Sequence, residues 1–266
     1  MMDHLDVDVE AVGAQLDEQG YCLLPAVIEP AEADRVRGIV AGLCEAEQTD
    51  EHREKHCQRV GRIAVKHRVF VELMCHPVVC AIWKHWLAPD AICSTWSSNT
   101  LYPGHGEIDW HADYPYWSMQ TPWPRGRLAG QTIWMLDDFT EANGGTGIVP
   151  YSPRKCCPPE KPTEWRDDGA VVTGTRGSVL VMDGLMWHTS RPNVSEESRS
   201  CLLGMYTLPC CIAMEDMRGQ LAEIADPTDE VTQLMGGNQY VPENVWGGVT
   251  PFPKLDPVFL RESSRL

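Results

Sequence analysis

Over the first ninety residues, apolar side chains recur at helical spacing. Val9, Val12 and Leu16 share one face, and the run stops at Gly20, a residue type that closes helices. Residues 21–27 then read as a strand. Pro30 suits the first turn of a second helix, with Val36, Ile39, Val40 and Leu43 on its buried face. Pro77 opens a third, running through Ile82, Trp83 and Trp86. From Ile92 the period changes. Short apolar or alternating runs at residues 94–101, 132–136, 147–149, 170–172, 178–182 and 200–208 are separated by Gly, Pro, Asn and Asp clusters. Many short strands between turn signals predict a β-sandwich or barrel. The expected organisation is mainly β with flanking helices, in one domain over 1–266. It has a helical N-terminal part at about 1–90, a β core at about 91–210 and a C-terminal extension at 211–266, with no repeat or linker between them.

Composition narrows the function classes. The 266 residues are 43% apolar and 23% charged, the balance of a soluble globular chain. Lys plus Arg number 22 against 38 Asp plus Glu, a formal net charge of -16. Nucleic acid and anionic lipid repel such a surface, so neither is expected as a partner. No apolar run reaches the roughly 20 residues of a membrane helix. The acidic start lacks the regions of a signal peptide, which makes the cytoplasm the expected location. The eleven cysteines are odd in number and contain no C-x-x-C pair. The neighbours Cys156-Cys157 and Cys210-Cys211 lack zinc-site spacing, so reduced thiols are expected. Gly144-Gly145-Thr146-Gly147 is too short for a phosphate loop and reads as a turn.

Three pieces of the β region carry chemistry. In Asp109-Trp110-His111-Ala112-Asp113-Tyr114, an extended backbone sends His111 and Asp113 to the same side. There an imidazole and a carboxylate can grip one divalent metal. His188 lies 75 residues after Asp113, beyond a strand and an Asp183-Gly184 turn. Two histidines and a carboxylate on one side of a metal form the facial triad of non-haem iron oxygenases. Taken alone, His188 reads as a satisfied core or turn histidine. Arg199 follows eleven residues later, at the head of a strand expected to run antiparallel to the one bearing His188. Its guanidinium can hold a carboxylate by two prongs, as a keto acid bound to the metal would require. Ser190, two residues after His188, shares its face and adds a hydroxyl.

These residues resemble the phytanoyl-CoA dioxygenase family of iron(II)- and 2-oxoglutarate-dependent oxygenases. The resemblance rests on His111-Ala112-Asp113, His188-Thr189-Ser190 and Arg199. Between them, residues 136–145 (LDDFTEANGG) and Val149-Pro150-Tyr151-Ser152-Pro153 resemble the family's "D-x-t-x-x-N-G…P-x-S" stretch. Gly20-Tyr21-Cys22-Leu23-Leu24-Pro25 resembles the strand before its first long helix. The resemblance covers roughly residues 14 to 210. It implies a double-stranded β-helix, a cupin-like jelly roll with helices outside. It implies Fe(II) held by His111, Asp113 and His188, and 2-oxoglutarate held by Arg199 and Ser190, with Gln131 and Asn99 as candidate amide partners. It also implies oxidation, most simply hydroxylation, of a C–H bond in a small-molecule substrate, with O2 consumed and CO2 and succinate released. Halogenating relatives have a small residue where Asp113 stands, so a halide at the metal is not expected. Two departures concern the pocket rim: Pro150-Tyr151-Ser152-Pro153 has lost the glycine and histidine of "P-G-S-H", and the aromatic expected before Asp137 is either Trp134 or, if Ile133 holds that position, absent.

Other features have open readings. Tyr114, Tyr116, Trp117 and Trp123, interleaved with Pro115, Pro122 and Pro124, form a loop that is either an aromatic wall over the substrate or ordinary packing. With Trp134, the first three are the candidate substrate-binding residues. Arg125 and Arg127 could offset the chain's charge for an anionic substrate. The segment 52–56 (HREKH) reads as a solvated charged stretch near the pocket mouth, residues 215–230 as a solvated helix or loop, and residues 246–253 as a cover for the pocket or a homodimer contact. The competing reading is a cupin-like metal barrel without oxygenase activity, such as a zinc-dependent hydrolase or isomerase, or a scaffold. The metal barrel would have no need of Arg199, and the scaffold would tolerate loss of a ligand, whereas none is lost here.

Overall fold

The structure, a computed structural model, describes residues 7–238. Helix α1 (Val9–Gln19) starts because the Asp8 carboxylate accepts the N–H groups of Glu10 and Ala11 at 3.1 and 3.0 Å. It ends at Gly20, whose φ of +88° suits a residue without Cβ; any Cβ there would strike Met186 and Pro153. Helix α2 (Pro30–Glu47) opens on its proline and buries Ala33, Val36, Val40 and Cys44. The short α3 (Asp50–Lys55) is capped by Thr49 and stays in solvent, so the charged stretch expected to be solvated is exposed, as a helical turn and a half. Helices α4 (Arg68–Met74) and α5 (Pro77–Trp86) complete the outer layer.

The strands are β1 (Tyr21–Leu24), β2 (Cys57–Val60), β3 (Ile92–Leu101), β4 (Ala129–Met135), β5 (Thr146–Ile148), β6 (Ala170–Val172), β7 (Val179–Asp183), β8 (His188–Ser190) and β9 (Arg199–Thr207). They form two antiparallel sheets, ordered β1-β7-β4-β9-β3-β2 and β6-β5-β8. Ile133, Met135, Leu180 and Leu203 of the large sheet meet Ile148 and Val172 of the small one in a shared apolar cluster. This is the double-stranded β-helix expected. Strand β8 pairs with β5 and β9 pairs with β3 and β4, so His188 and Arg199 stand on facing sheets.

The large sheet is buried on both sides, which is why its strands read as apolar runs rather than strict alternation. Its outer face meets the helices. Trp83 of α5 donates its indole N–H to Thr132 Oγ1 at 2.8 Å and stacks on Tyr206, with ring centroids 5.7 Å apart. A Cβ at Gly130 would lie 2.1 Å from the Trp83 ring, so this close contact requires glycine. Each such fully buried side chain stabilises the fold by about 1.5–3 kcal/mol. The acidic region near residues 215–230 is not simply solvated. It forms α6 (Met217–Leu221) and α7 (Asp229–Leu234), and Met217, Val231, Leu234 and Met235 join the helix-side core. All eleven cysteines are free. Among the described residues, no helix is long and apolar enough to cross a membrane. Residues 246–253 lie outside the described residues.

Candidate metal centre

The main chain brings the predicted ligands together. His111 and His188 form an isolated antiparallel bridge: His111 N–H donates to His188 O at 3.0 Å, and His188 N–H to His111 O at 2.9 Å. Asp113 N–H donates to Gly184 O at 2.8 Å, in the turn after β7, and Asp109 N–H to Thr189 Oγ1 at 2.9 Å. The H-x-D segment is thus stitched along the edge of the small sheet. One donor atom from each of His111, Asp113 and His188 lies within 4.8 Å of the others. His188 Nε2 is 3.9 Å from Asp113 Oδ1. Asp113 and His188 are buried, while His111 stays open to solvent.

Hydrogen bonding fixes which nitrogens are available. His111 Nδ1 lies 2.7 Å from Asp109 O, and His188 Nδ1 lies 3.0 Å from Met186 O. A carbonyl only accepts, so each Nδ1 carries the proton and each Nε2 presents a lone pair to the centre. Burial pushes the His188 pKa down, as does neighbouring His111, against an upward pull from Asp113. The ring is therefore held in the neutral form that binds metal. Asp113 Oδ2 is buried without a hydrogen-bond partner. A carboxylate oxygen left in that state is costly unless a cation completes it. Two imidazole nitrogens and one carboxylate also match the donor set of non-haem ferrous sites.

The three residues open onto a cavity of about 220 Å³ between the sheets. Every second residue of the large sheet faces it: Thr95, Ser97 and Asn99 of β3, Arg199, Cys201, Leu203 and Met205 of β9, and Gln131 and Ile133 of β4. Arg199 is only 2% exposed. One terminal nitrogen donates to Gly144 O, the other to Cys201 Sγ at 3.5 Å, and the guanidinium lies 4.3 Å over the Phe139 ring. Its Nε has no partner. Burial lowers its pKa, offset in part by the nearby thiols. Gly144 has φ +85°, and Asn143 props the turn by donating to Asp138 O and accepting from Thr140 N–H. The N-G-G stretch therefore builds the seat of Arg199. Asp137 anchors the same strand by accepting Ser200 N–H at 2.8 Å.

Ser190, Gln131 and Asn99 also line the cavity, and Gln131 Oε1 is buried and unpartnered. The aromatic residues divide. Trp117 lines the cavity and is 58% exposed at its mouth. Tyr114 packs edge-on to Trp117 without reaching the cavity lining. Tyr116 is fully buried in a separate cluster with Trp110 and Trp123, its hydroxyl donating to Gly126 O at 2.5 Å. Trp134 faces the helices and meets His76 at 5.3 Å, because β4 alternates and Ile133 takes the inward position. Tyr116 and Trp134 are therefore not cavity residues. The Pro150–Pro153 turn is not at the rim either. Ser152 Oγ accepts Trp187 N–H at 2.8 Å, bracing the approach to His188. Arg127 is tied to Asp17 and to Trp86 O, and neither it nor Arg125 lines the cavity. Sequence reasoning missed Arg59 of β2 and Met214, both in the lining. The only available signal for Arg59 was its alternation with buried Gln58 and Val60.

A profile of the family described as phytanoyl-CoA dioxygenase (PhyH) matches residues 16–201. The curated "Dioxygenase af480" of Aspergillus fumigatus is 27% identical over 218 residues, covering 77% of this chain and 69% of that protein. The crystal structure of the non-heme alpha ketoglutarate dependent epimerase SnoN from nogalamycin biosynthesis superposes with a TM-score of 0.58 at 16% identity, covering 75% of this chain and 82% of its own. SnoN in complex with Fe3+, alpha ketoglutarate and nogalamycin RO gives a TM-score of 0.58 at 15% identity, covering 75% and 83%. At these identities the two structures bear on the fold.

Proposed function

This chain belongs to the phytanoyl-CoA dioxygenase family, and from that premise we propose that it hydroxylates a C–H bond of a small molecule, using Fe(II), 2-oxoglutarate and O2. The observation that carries the reading is the convergence of His111, Asp113 and His188 donor atoms within 4.8 Å, in a cavity that also holds the buried Arg199. When bound, ferrous iron would activate O2, the oxidant, with 2-oxoglutarate giving up two electrons as it is split to succinate and CO2.

The chain's own residues do the rest. His111 and His188 present Nε2 because their Nδ1 protons are committed to carbonyls. Asp113 supplies the negative charge that balances the cation. Arg199 receives the distal carboxylate of the keto acid through the guanidinium edge bearing its unpartnered Nε, and Ser190 adds a hydroxyl. Gln131 and Asn99 orient the same molecule through their amides. Ile133, Leu203 and Met205 keep water from the reacting carbon. A hydrolase or isomerase barrel has no use for a buried guanidinium facing the metal ligands, which weighs against the competing reading.

Hydroxylation is favoured over stereochemical inversion by what the lining lacks. Inversion needs a side chain that returns a hydrogen atom. Among the described residues the lining has no tyrosine, and the Cys201 thiol is turned to Asn99 O at 3.5 Å. The test is anaerobic loading with Fe(II) and 2-oxoglutarate, then admission of labelled O2 with a panel of small molecules. Succinate formation and one labelled oxygen in the product are expected. Failure to form succinate from the iron-loaded protein overturns the oxygenase reading, and an unlabelled product overturns hydroxylation alone.

A further inference from the structure

The cavity contains a second cation that the proposed reaction leaves unused. Gln58 and Val60 of β2 are buried on the helix side, and Gln58 donates to Cys44 O at 3.0 Å. The alternation turns Cys57 and Arg59 the other way, and Arg59 lines the cavity. It sits opposite Asn99 in the β2–β3 register, beside Ser97 on the same face. Its side chain makes no hydrogen bond or ion pair with any described residue, although the chain has 38 acidic residues against 22 basic ones. Most of the described lysines and arginines are tied to carboxylates, Arg37 to Asp137 and Arg127 to Asp17 among them. The field of Arg59 reaches the pocket interior, where it offsets part of the rise that burial imposes on the Cys201 thiol.

The other wall is apolar. Ile133, Leu203 and Met205 form it inside. At the mouth, Trp117 and Met214 are 58% and 48% exposed. Large apolar groups left in water beside a cavity mark a surface that a ligand covers. The cavity thus has one free guanidinium on one side and a greasy ramp on the other. In the oxygenase reading both ends of 2-oxoglutarate are already assigned, one carboxylate to Arg199 and the other to the metal. Arg59 is exposed on the edge strand, so it faces what arrives from solvent.

We infer that Arg59 is the recognition point for the primary substrate, and that this substrate is a carboxylic acid with an apolar or aromatic body. The carboxylate pairs with the guanidinium, and the body lies along Leu203, Met205 and Ile133 out to Trp117 and Met214. The acidic surface repels such a molecule from afar, but its field is screened within about 8 Å at physiological salt. Inside that distance the unpaired arginine dominates. The inference rests on the oxygenase reading only in giving 2-oxoglutarate to Arg199.

The test is anaerobic calorimetry on the full chain loaded with Fe(II) and 2-oxoglutarate. The probes are 3-phenylpropanoate and decanoate, each compared with its methyl ester. At least one acid is expected to bind about tenfold or more tightly than its ester, the scale of one charge-assisted pair. Arg59→Gln is expected to erase that difference while changing 2-oxoglutarate affinity less than about twofold, and Arg59→Lys to keep part of it. The inference is overturned if acid and ester bind alike, if neither acid binds, or if Arg59→Gln weakens 2-oxoglutarate and leaves the acids untouched. The ranking needs no turnover, so a lack of succinate formation would count against the reaction and not against Arg59.

Discussion

The two faces of the large sheet are made by alternate residues of the same strands, and both are buried, yet they treat polar atoms differently. On the helix side, β4 contributes Thr132 and Trp134 and β9 contributes Leu202 and Tyr206. Polar atoms left unpartnered there are mostly neutral: the indole N–H groups of Trp96 and Trp134, the Ser98 hydroxyl and His76 Nδ1, while the charged exception, Glu230 Oε1, belongs to a carboxylate whose other oxygen is paired with Lys84. Each neutral one costs about 1–3 kcal/mol at most, which a large apolar core absorbs. In the cavity the unpartnered atoms include a carboxylate oxygen of Asp113 and the Nε of the Arg199 guanidinium. Isolated buried charges cost several kcal/mol each, and although Gly144 O, Cys201 and the Phe139 ring offset part of that for Arg199, no hydrogen bond reaches its Nε or Asp113 Oδ2. The contrast separates an imperfection of packing from a binding site: scattered orphans belong to the first, and orphans that gather round one cavity, charged ones and the Gln131 amide oxygen among them, to the second.

The sharpest way to break the contrast is to remove a charged orphan. Asp113→Ala is expected to abolish iron binding and lower turnover by more than about 10³-fold, roughly 4 kcal/mol of barrier. Thermal stability of the metal-free protein should stay level or rise, because a buried unpaired carboxylate is gone. Metal content and calorimetric melting check both halves, and retained iron would take the carboxylate out of the site. The same operation on the other face should invert the pattern. Trp134→Ala is expected to cost about 3–5 kcal/mol of stability in urea unfolding, with the remaining folded protein still binding iron. If it instead spared stability and stopped turnover, the assignment of Trp134 to the helix side would be wrong.

Smaller changes refine the comparison. Arg199→Lys keeps the charge but loses the fork, and the 2-oxoglutarate requirement should rise roughly 10- to 100-fold, the worth of about 1.5–3 kcal/mol in charged hydrogen bonds. An unchanged requirement would move the anchor to another group. The helix side has its own carboxyl, Asp183, at the end of β7. Burial pushes its pKa up to about 7, with neighbouring Asp17 adding to the rise while Leu185 N–H and Arg127 pull it down. The folded form therefore holds a proton that the unfolded chain releases near pH 4. Its stabilising share is full below about pH 4 and is lost as pH rises toward about 7. Asp183→Asn should then stabilise the protein at pH 8 by on the order of 1–2 kcal/mol and leave it unchanged at pH 4, as read by urea titrations at the two pH values. Equal effects at both would show that Asp183 keeps its ordinary pKa in the fold.

How much of this was legible in the chain depends on how tightly chemistry constrains residue type. His111, Asp113, His188 and Arg199 were readable because few side chains bind a metal or a carboxylate, and because a spacing of two in an extended segment fixes a common side. Ser152 and Asn143 were readable as motif positions, but not what they do: one braces Trp187 and the other shapes the Gly144 seat, both roles visible only in hydrogen bonds. Trp134 was misplaced because parity within β4 depends on register, which the neighbouring strands set by pairing Ile133 with the inward-facing Leu180 and Leu203. Tyr116 and Trp117 are adjacent and chemically alike, yet one is core and the other rim. A proline-rich loop has no period from which to tell them apart. Strand β2 is only the four residues Cys-Gln-Arg-Val, too short and polar to announce itself, and Arg59 was missed with it.

The bridge between His111 and His188 bears on how the protein ages in use. Because two main-chain hydrogen bonds set the separation of those rings, stripping the ion with a chelator leaves a formed socket instead of a slack loop. Reloading then becomes a matter of diffusion and ligand exchange, with no refolding step. Working lifetime in a metal-poor medium would be set by how fast the ion leaves and is replenished, and an inactive preparation would regain function on simple addition of ferrous salt.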